Sequence, residues 1–63
     1  MQRKIPFNLT DRELIGLYMC LKSAEMALDD TMSRVLLRIE KILYRQLTVE
    51  EMENIESAYD RAP

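Results

Sequence analysis

Residues 14–28 limit the possible folds of this chain more than any other stretch. Only Lys22 and Glu25 are charged among these fifteen positions, and the other residues are apolar or small. Such a stretch forms a helix that is apolar around most of its circumference, and other elements must cover it in water. The whole chain has 63 residues, and a domain of this size buries only about 60% of its unfolded surface. The apolar surface of this helix must therefore be buried by other helices of the chain or by a second copy of it.

No cross-link is available to compensate for the small size. The chain has one cysteine, Cys20, and no histidine, so an internal disulfide cannot form and zinc sites lack their usual ligands. No apolar run reaches the roughly 18 residues of a membrane span. The basic start at Arg3 and Lys4 is not followed by the apolar segment of a signal peptide. We therefore expect a cytoplasmic protein that binds no metal, cofactor or membrane.

A capping signal predicts where the first helix begins. Thr10 is followed three residues later by Glu13, which is the spacing of a capping box. The hydroxyl of Thr10 is expected to accept the backbone N–H of Glu13, whose carboxylate accepts the N–H of Thr10. The first helix is therefore predicted over about 11–28, after a basic extended arm at 1–8. Residues 9–63 are predicted to form a single helical domain.

Three strips run along this helix at the helical repeat. The largest is predicted to pack inside the chain and consists of Leu14, Leu17, Tyr18, Leu21, Ala24 and Leu28. A second strip has small side chains that allow another helix to approach closely, and a third carries larger apolar ones. Because so short a chain cannot cover all three strips, part of the second and third is the candidate apolar face for a dimer or another partner. This face consists of Ile15, Gly16, Met19, Cys20 and Met26.

The connection after residue 28 allows two architectures. Asp29, Asp30 and Thr31 favour a turn followed by a helix cap, which gives a helical hairpin. However, apolar residues continue at three- and four-residue spacing through this point. One helix over 11–46 in an intermolecular coiled coil is therefore the alternative. We favour the hairpin, because helices longer than about 25 residues are uncommon in small domains.

The second helix is predicted over about 31–46 and has two contrasting sides. Its apolar side would face the core and consists of Met32, Val35, Leu36, Ile39, Ile42 and Leu43. Its opposite side carries what we call the cationic row, which consists of Arg34, Arg38, Lys41 and Arg45. A solvated face is the commonest meaning of such a row, and pairing with an acidic surface of this chain or of a partner comes second. The row is the candidate partner-binding site.

A second capping box predicts the third helix, over about 49–60. Thr48 and Glu51 have the same spacing as the first box. This short helix would turn five apolar residues toward the core, which are Val49, Met52, Ile55, Tyr59 and Ala62. Residues 48–63 carry five acids against Arg61 alone, although the net charge of the whole chain is only −2. The end of the chain is therefore acidic where the second helix is basic.

Together these patterns predict an all-α fold, a helical hairpin plus a short third helix, that dimerises into a four-helix bundle. Cys20 has no histidine to activate it and no glycine-rich phosphate loop occurs, so we expect no enzyme and no catalytic residue. We predict a homodimeric regulatory or adaptor protein that binds another protein. Its shortness would suit an inhibitor or accessory factor from a phage or other mobile element. The alternative is a nucleic-acid-binding regulator that uses the cationic row, against which the acidic pI of about 5.0 argues.

Overall fold

A computed structural model describes residues 3–63, and the predicted all-α class is confirmed over this range. In chain order, α1 is Asp11–Ser23, α2 is Asp30–Gln46, α3 is Val49–Glu53 and α4 is Ile55–Arg61, with a short 3-10 turn at Glu25–Ala27 between α1 and α2. No strand occurs within the described residues. α1 packs against both α2 and α4, and α3 contacts both α2 and α4.

Both predicted capping boxes form. The N–H of Glu13 donates to Oγ1 of Thr10 at 3.1 Å, and the N–H of Thr10 donates to Oε1 of Glu13 at 2.9 Å. The same two bonds, with the same distances, join Thr48 and Glu51 at the start of α3. Each box satisfies backbone amides that have no partner inside the helix. The beginnings of α1 and α3 are therefore confirmed.

The first helix ends earlier than predicted, and the single helix over 11–46 is wrong. α1 stops at Ser23, whose hydroxyl donates to a carbonyl in the last turn. The 3-10 turn follows, and Leu28 then has an extended backbone with ψ 141°. The side chain of Asp29 accepts the N–H of Met32 at 2.8 Å and so caps α2. Because an N-cap residue takes a non-helical backbone conformation, this cap interrupts any continuous helix.

The predicted third helix over 49–60 is two short helices. Asn54 separates α3 from α4 with φ −126° and ψ 60°, which lie outside the helical region. The bend turns α4 so that Ala58 is buried, while Val49 at the start of α3 is 70% exposed. The predicted apolar side included Val49 and left out Ala58. It is wrong at these two positions because one helical repeat was carried through the bend.

The core is small and lies where α1, α2 and α4 meet. Its buried side chains are Ile15, Tyr18, Leu36, Ile39, Leu43 and Ala58. On α2 they match the middle of the predicted apolar side, whereas Met32 and Ile42 at its edges are exposed. On α1 the buried side is rotated from the prediction, since Ile15 is 1% exposed and Leu17 is 38% exposed. The rotation arises because α1 packs against both α2 and α4, and the side that it buries is the one that meets them in the shared core.

Outside this core, the helices cover one another only in part. α4 has 7 residues and α2 has 17, so α4 covers only part of the length of the hairpin that α1 and α2 form. The described part of the predicted arm has no regular secondary structure, and Ile5 and Phe7 are exposed there. Met1 and Gln2 of that arm lie outside the described residues. The principal extents of the chain are 39 × 27 × 17 Å, which gives a flattened molecule with two broad sides.

Candidate interaction surfaces

The cationic row is exposed along its whole length on α2. All four of its members, Arg34, Arg38, Lys41 and Arg45, are exposed, and they lie on the side of the helix away from the core. Two large apolar side chains flank the row, Leu37 at 57% and Tyr44 at 61% exposure. Their spacing of seven residues is two helical turns, or about 10.5 Å along the axis. We call the cationic row together with Leu37 and Tyr44 the α2 face.

The cations of the α2 face have no acidic partner among the described residues. The ion pair found among residues 3–63 lies outside α2 and joins Lys22 to Glu25, with an Nζ–Oε1 distance of 3.3 Å. The exposed acids of α3 and α4 form no ion pair with the cationic row. These acids are Glu50, Glu53, Glu56 and Asp60. The pairing within the chain that the sequence allowed is therefore not formed. Charges of both signs are therefore exposed to solvent on these helices.

The candidate apolar face predicted on α1 is divided by the fold. Ile15 is a core residue and cannot contact a partner in the folded chain, so its assignment to this face is wrong. Met26 is fully exposed, but it lies on the 3-10 turn beyond the end of α1. Met19 is half-buried and Cys20 is exposed. These two residues of the predicted face still reach the surface from α1.

Gly16 serves a contact within the chain. A Cβ at this position would lie 2.9 Å from Cε1 of Tyr59, which is closer than the roughly 3.5–4.0 Å at which carbon atoms pack. The guanidinium of Arg12 lies over the same ring, with Cζ 4.6 Å from its centroid, which is a cation–π contact. The second strip of α1, with its small side chains, was predicted to let another helix approach closely. At Gly16 this helix is α4 of the same chain.

Two open grooves lie between α1 and α4, on either side of Met19 and Cys20. The first has a volume of about 480 Å3, and besides these two residues it is lined by Tyr18, Lys22, Ser23, Ile55 and Glu56. The second has a volume of about 360 Å3 and is lined in addition by Glu13, Gly16, Leu17 and Tyr59. Met19 and Cys20 line both grooves and form the ridge that separates them. We call the two grooves and this ridge the α1–α4 face.

A partly buried polar pair joins α1 to α2 beside the first groove. The hydroxyl of Tyr18 donates to Oε2 of Glu40 at 3.1 Å. Burial of the ring, this hydrogen bond and the negative charge of Glu40 raise the pKa of Tyr18 to about 12. The raised pKa keeps the Tyr18 hydroxyl protonated further into the alkaline range, and the hydroxyl acts as a polar link between the helices. Sequence reasoning missed the pair, because nothing local marks a contact between residues 22 positions apart.

Comparisons of this chain with protein-family models, curated proteins and solved structures give no match. Within residues 3–63, no helix combines the length and apolar character needed to cross a bilayer. The same residues contain no cluster of three side chains suited to a metal ion. The α2 face and the α1–α4 face are the features of the described chain that suggest binding.

Proposed function

We propose that the protein is a small regulatory or adaptor protein, without enzymatic activity, that acts as a homodimer and binds an acidic protein surface through its α2 face. One observation carries the proposal. Four exposed cations lie on one side of α2 without an acidic partner among the described residues, and Leu37 and Tyr44 are exposed beside them. Leu37 and Tyr44 give this charged face apolar surface that a protein partner can cover.

The composition of the α2 face favours a protein ligand over nucleic acid. Leu37 and Tyr44 gain about 25 cal/mol for each Å2 of apolar surface that a partner covers. A phosphate backbone offers little apolar surface for this purpose. The cations speed the encounter with an acidic partner and set its orientation. Tyrosine and arginine are also enriched among the residues that dominate binding energy in protein interfaces. An acidic surface with an apolar cleft would use both features.

A nucleic-acid-binding regulator is the second candidate, and the same cations favour it. A dimer would carry eight of them, and each phosphate neutralised would make binding weaker by about 0.9 log units per tenfold rise in salt. Two observations count against it. The net charge is −2, and the exposed acids of α3 and α4 would repel a phosphate backbone. The row also contains no asparagine or glutamine, which commonly read adenine.

The proposal is tested by a quantitative pull-down from extract of the native host. Three immobilised proteins are compared: the parent, the α2 variant Arg38→Glu/Lys41→Glu, and the arm variant Arg3→Glu/Lys4→Glu. The two variants change the net charge equally, but only the first alters the α2 face. A protein retained by the parent and the arm variant, and lost by the α2 variant, supports the proposal. Its purified form should bind the α2 variant at least about tenfold more weakly, a difference of about 1.4 kcal/mol.

Two outcomes would count against this order of candidates. If all three proteins retain the same partners equally, the α2 face is not the binding surface. If the parent binds duplex DNA or RNA at submicromolar concentration in physiological salt, with a steep salt dependence, the nucleic-acid function takes precedence.

A further inference from the structure

We propose that the partner of the α2 face is an amphipathic α-helix that lies along α2, with apolar side chains seven residues apart and carboxylates along one edge of them only. This inference rests on the proposed protein-binding function and states which kind of protein surface the α2 face fits. It depends on the spacing of the two exposed apolar side chains, Leu37 and Tyr44, and on the charges that lie on either side of them.

The spacing of Leu37 and Tyr44 selects a helix as the partner. These exposed side chains are seven residues apart and therefore lie on one side of α2, about 10.5 Å apart along its axis. A second helix packed along α2 repeats its own side chains every seven residues, and each projecting side chain enters a hole between four residues of the facing helix. An extended strand repeats the side chains of one face about every 6.7 Å, so it does not match this spacing.

The cationic row lies along one edge of this apolar pair. Arg34 is three residues before Leu37, and Lys41 is four residues after it and three before Tyr44. Side chains three or four positions apart are neighbours on a helix surface. The other two members of the row extend the positive charge further around the same side of α2. Carboxylates on the facing edge of a docked helix meet these cations, and such edge charges set partner choice and orientation in paired helices.

The opposite edge of the apolar pair is already acidic. Glu40 lies three residues after Leu37 and four before Tyr44, on the side away from the cationic row. Its half-buried carboxylate accepts the hydroxyl of Tyr18 at 3.1 Å, which holds it at this edge. Acids of a partner helix would be repelled there. The partner's carboxylates therefore belong on one edge, and this edge decides whether the partner lies parallel or antiparallel to α2.

Two other occupants fit this charge pattern less well. Two copies of the chain in contact through the α2 face would bring together four cations from each, against one Glu40 carboxylate from each, and the net effect is repulsive. A flat anionic surface such as a phospholipid bilayer contacts both edges of the apolar pair at once, so Glu40 opposes it. A helix with one acidic edge avoids both conflicts.

Two synthetic peptides of identical composition test the pattern. Each has about 18 residues, mostly alanine and glutamine, because shorter isolated helices are marginal in water. Both carry leucine at every seventh position. The in-phase peptide has glutamates three residues before and four residues after its leucines, along one edge, whereas the out-of-phase peptide has them on the opposite side of the helix. Circular dichroism checks that the two peptides are equally helical.

The parent should bind the in-phase peptide with a dissociation constant at least about tenfold lower than that of the out-of-phase peptide. Amide chemical shifts of the isotope-labelled parent should change mainly within residues 34–45. Leu37→Ala/Tyr44→Ala should remove the preference. The matched control Met26→Ala/Val49→Ala, which shortens two exposed apolar side chains outside α2, should keep it. Equal affinity for the two peptides, or shift changes centred on another part of the chain, would overturn the helical partner.

A third peptide tests the edge that Glu40 occupies. It carries glutamates on both edges of its leucines and should bind the parent no more tightly than the in-phase peptide, despite its larger charge. It should gain affinity for Glu40→Gln, because the repulsion is then removed. Tighter binding of this peptide to the parent would overturn the requirement for a single acidic edge.

Vesicles of phosphatidylcholine and phosphatidylserine distinguish a membrane from a protein partner. The parent should not sediment with them at physiological salt. Sedimentation that is lost in Leu37→Ala/Tyr44→Ala would overturn the helical partner in favour of a lipid surface. The pull-down makes no assumption about the shape of the partner. If it identifies a partner that the α2 variant loses while the peptides bind equally, only this inference fails and the proposed function stands.

Discussion

The ring of Tyr59 lies on Gly16, with Cε1 2.9 Å from the position that a Cβ of residue 16 would occupy. This contact brings α4 onto α1, and Arg12 covers the ring at 4.6 Å. A glycine inside a helix costs about 1 kcal/mol relative to alanine. Here the close approach of two helices depends on the missing side chain. The glycine therefore reflects packing within the chain.

The first prediction concerns this pair. Gly16→Ala should gain about 1 kcal/mol from helix propensity only when the ring is absent. In the parent the added methyl group displaces Tyr59, and the variant should be no more stable than the parent. In a Tyr59→Ala background the same substitution should stabilise the protein by about 1 kcal/mol. Urea unfolding of the four proteins measures the difference. The same gain in both backgrounds would show that the ring does not restrict residue 16.

The second prediction concerns the capping boxes. Thr10→Ala and Thr48→Ala each remove a side-chain acceptor from a backbone amide, and each should lower the free energy of unfolding by about 1 kcal/mol. Thr31→Ala is the matched control, because Thr31 lies inside α2 and makes no side-chain hydrogen bond among the described residues. Thr31→Ala should therefore lower the free energy of unfolding much less than the two cap variants do. Thermal unfolding compares the three variants, and equal shifts for all three would mean that the caps add nothing specific.

The third prediction concerns the pH dependence of stability. The pKa of Tyr18 is about 12 in the folded chain and 10.0 in its ordinary state. The folded protein therefore keeps a proton that the unfolded chain loses. The stabilising contribution is complete below pH 10 and is lost as the pH rises toward about 12. Unfolding in urea at several alkaline pH values should show this decline, and Tyr18→Phe should lack it.

The same titration has an independent spectroscopic check. Tyrosinate absorbance of the parent, compared with that of Tyr18→Phe, isolates the ionisation of Tyr18. Glu40→Gln removes the negative charge beside the hydroxyl and should lower the pKa of Tyr18, though burial should keep it above its ordinary value. If Glu40→Gln leaves that pKa unchanged, the carboxylate is not a cause of the shift.

The fourth prediction concerns the α2 face. Arg38→Glu/Lys41→Glu should change the free energy of unfolding by less than about 1 kcal/mol, because these exposed cations form no ion pair within the described chain. Leu43→Ala provides the contrast, since it removes a buried side chain and should cost about 2–5 kcal/mol. A large loss of stability in the charge variant would assign the row a role in folding, and its binding data would then need reinterpretation.

Local chemistry made the helix starts and the cationic row predictable. An N-cap bond joins residues three positions apart, so Thr10 and Thr48 could be recognised without knowledge of their surroundings. The sides of α2 were predictable for a related reason. Its buried residues lie on one stripe, and a helix with one apolar stripe shows it directly in the helical repeat. All four residues of the candidate partner-binding row are accordingly exposed.

The tertiary structure decided what depends on neighbours distant in the chain. The sequence by itself determined the helical class, the caps and the outward side of α2, because each depends on contacts within a turn or two. It did not determine that Ile15 is in the core, since α1 is apolar on several sides and only the positions of α2 and α4 select one. The bend at Asn54 and the contact between the Tyr59 ring and Gly16 likewise depend on how α4 packs on α1. Helical periodicity describes one helix at a time, whereas burial depends on where the other helices lie.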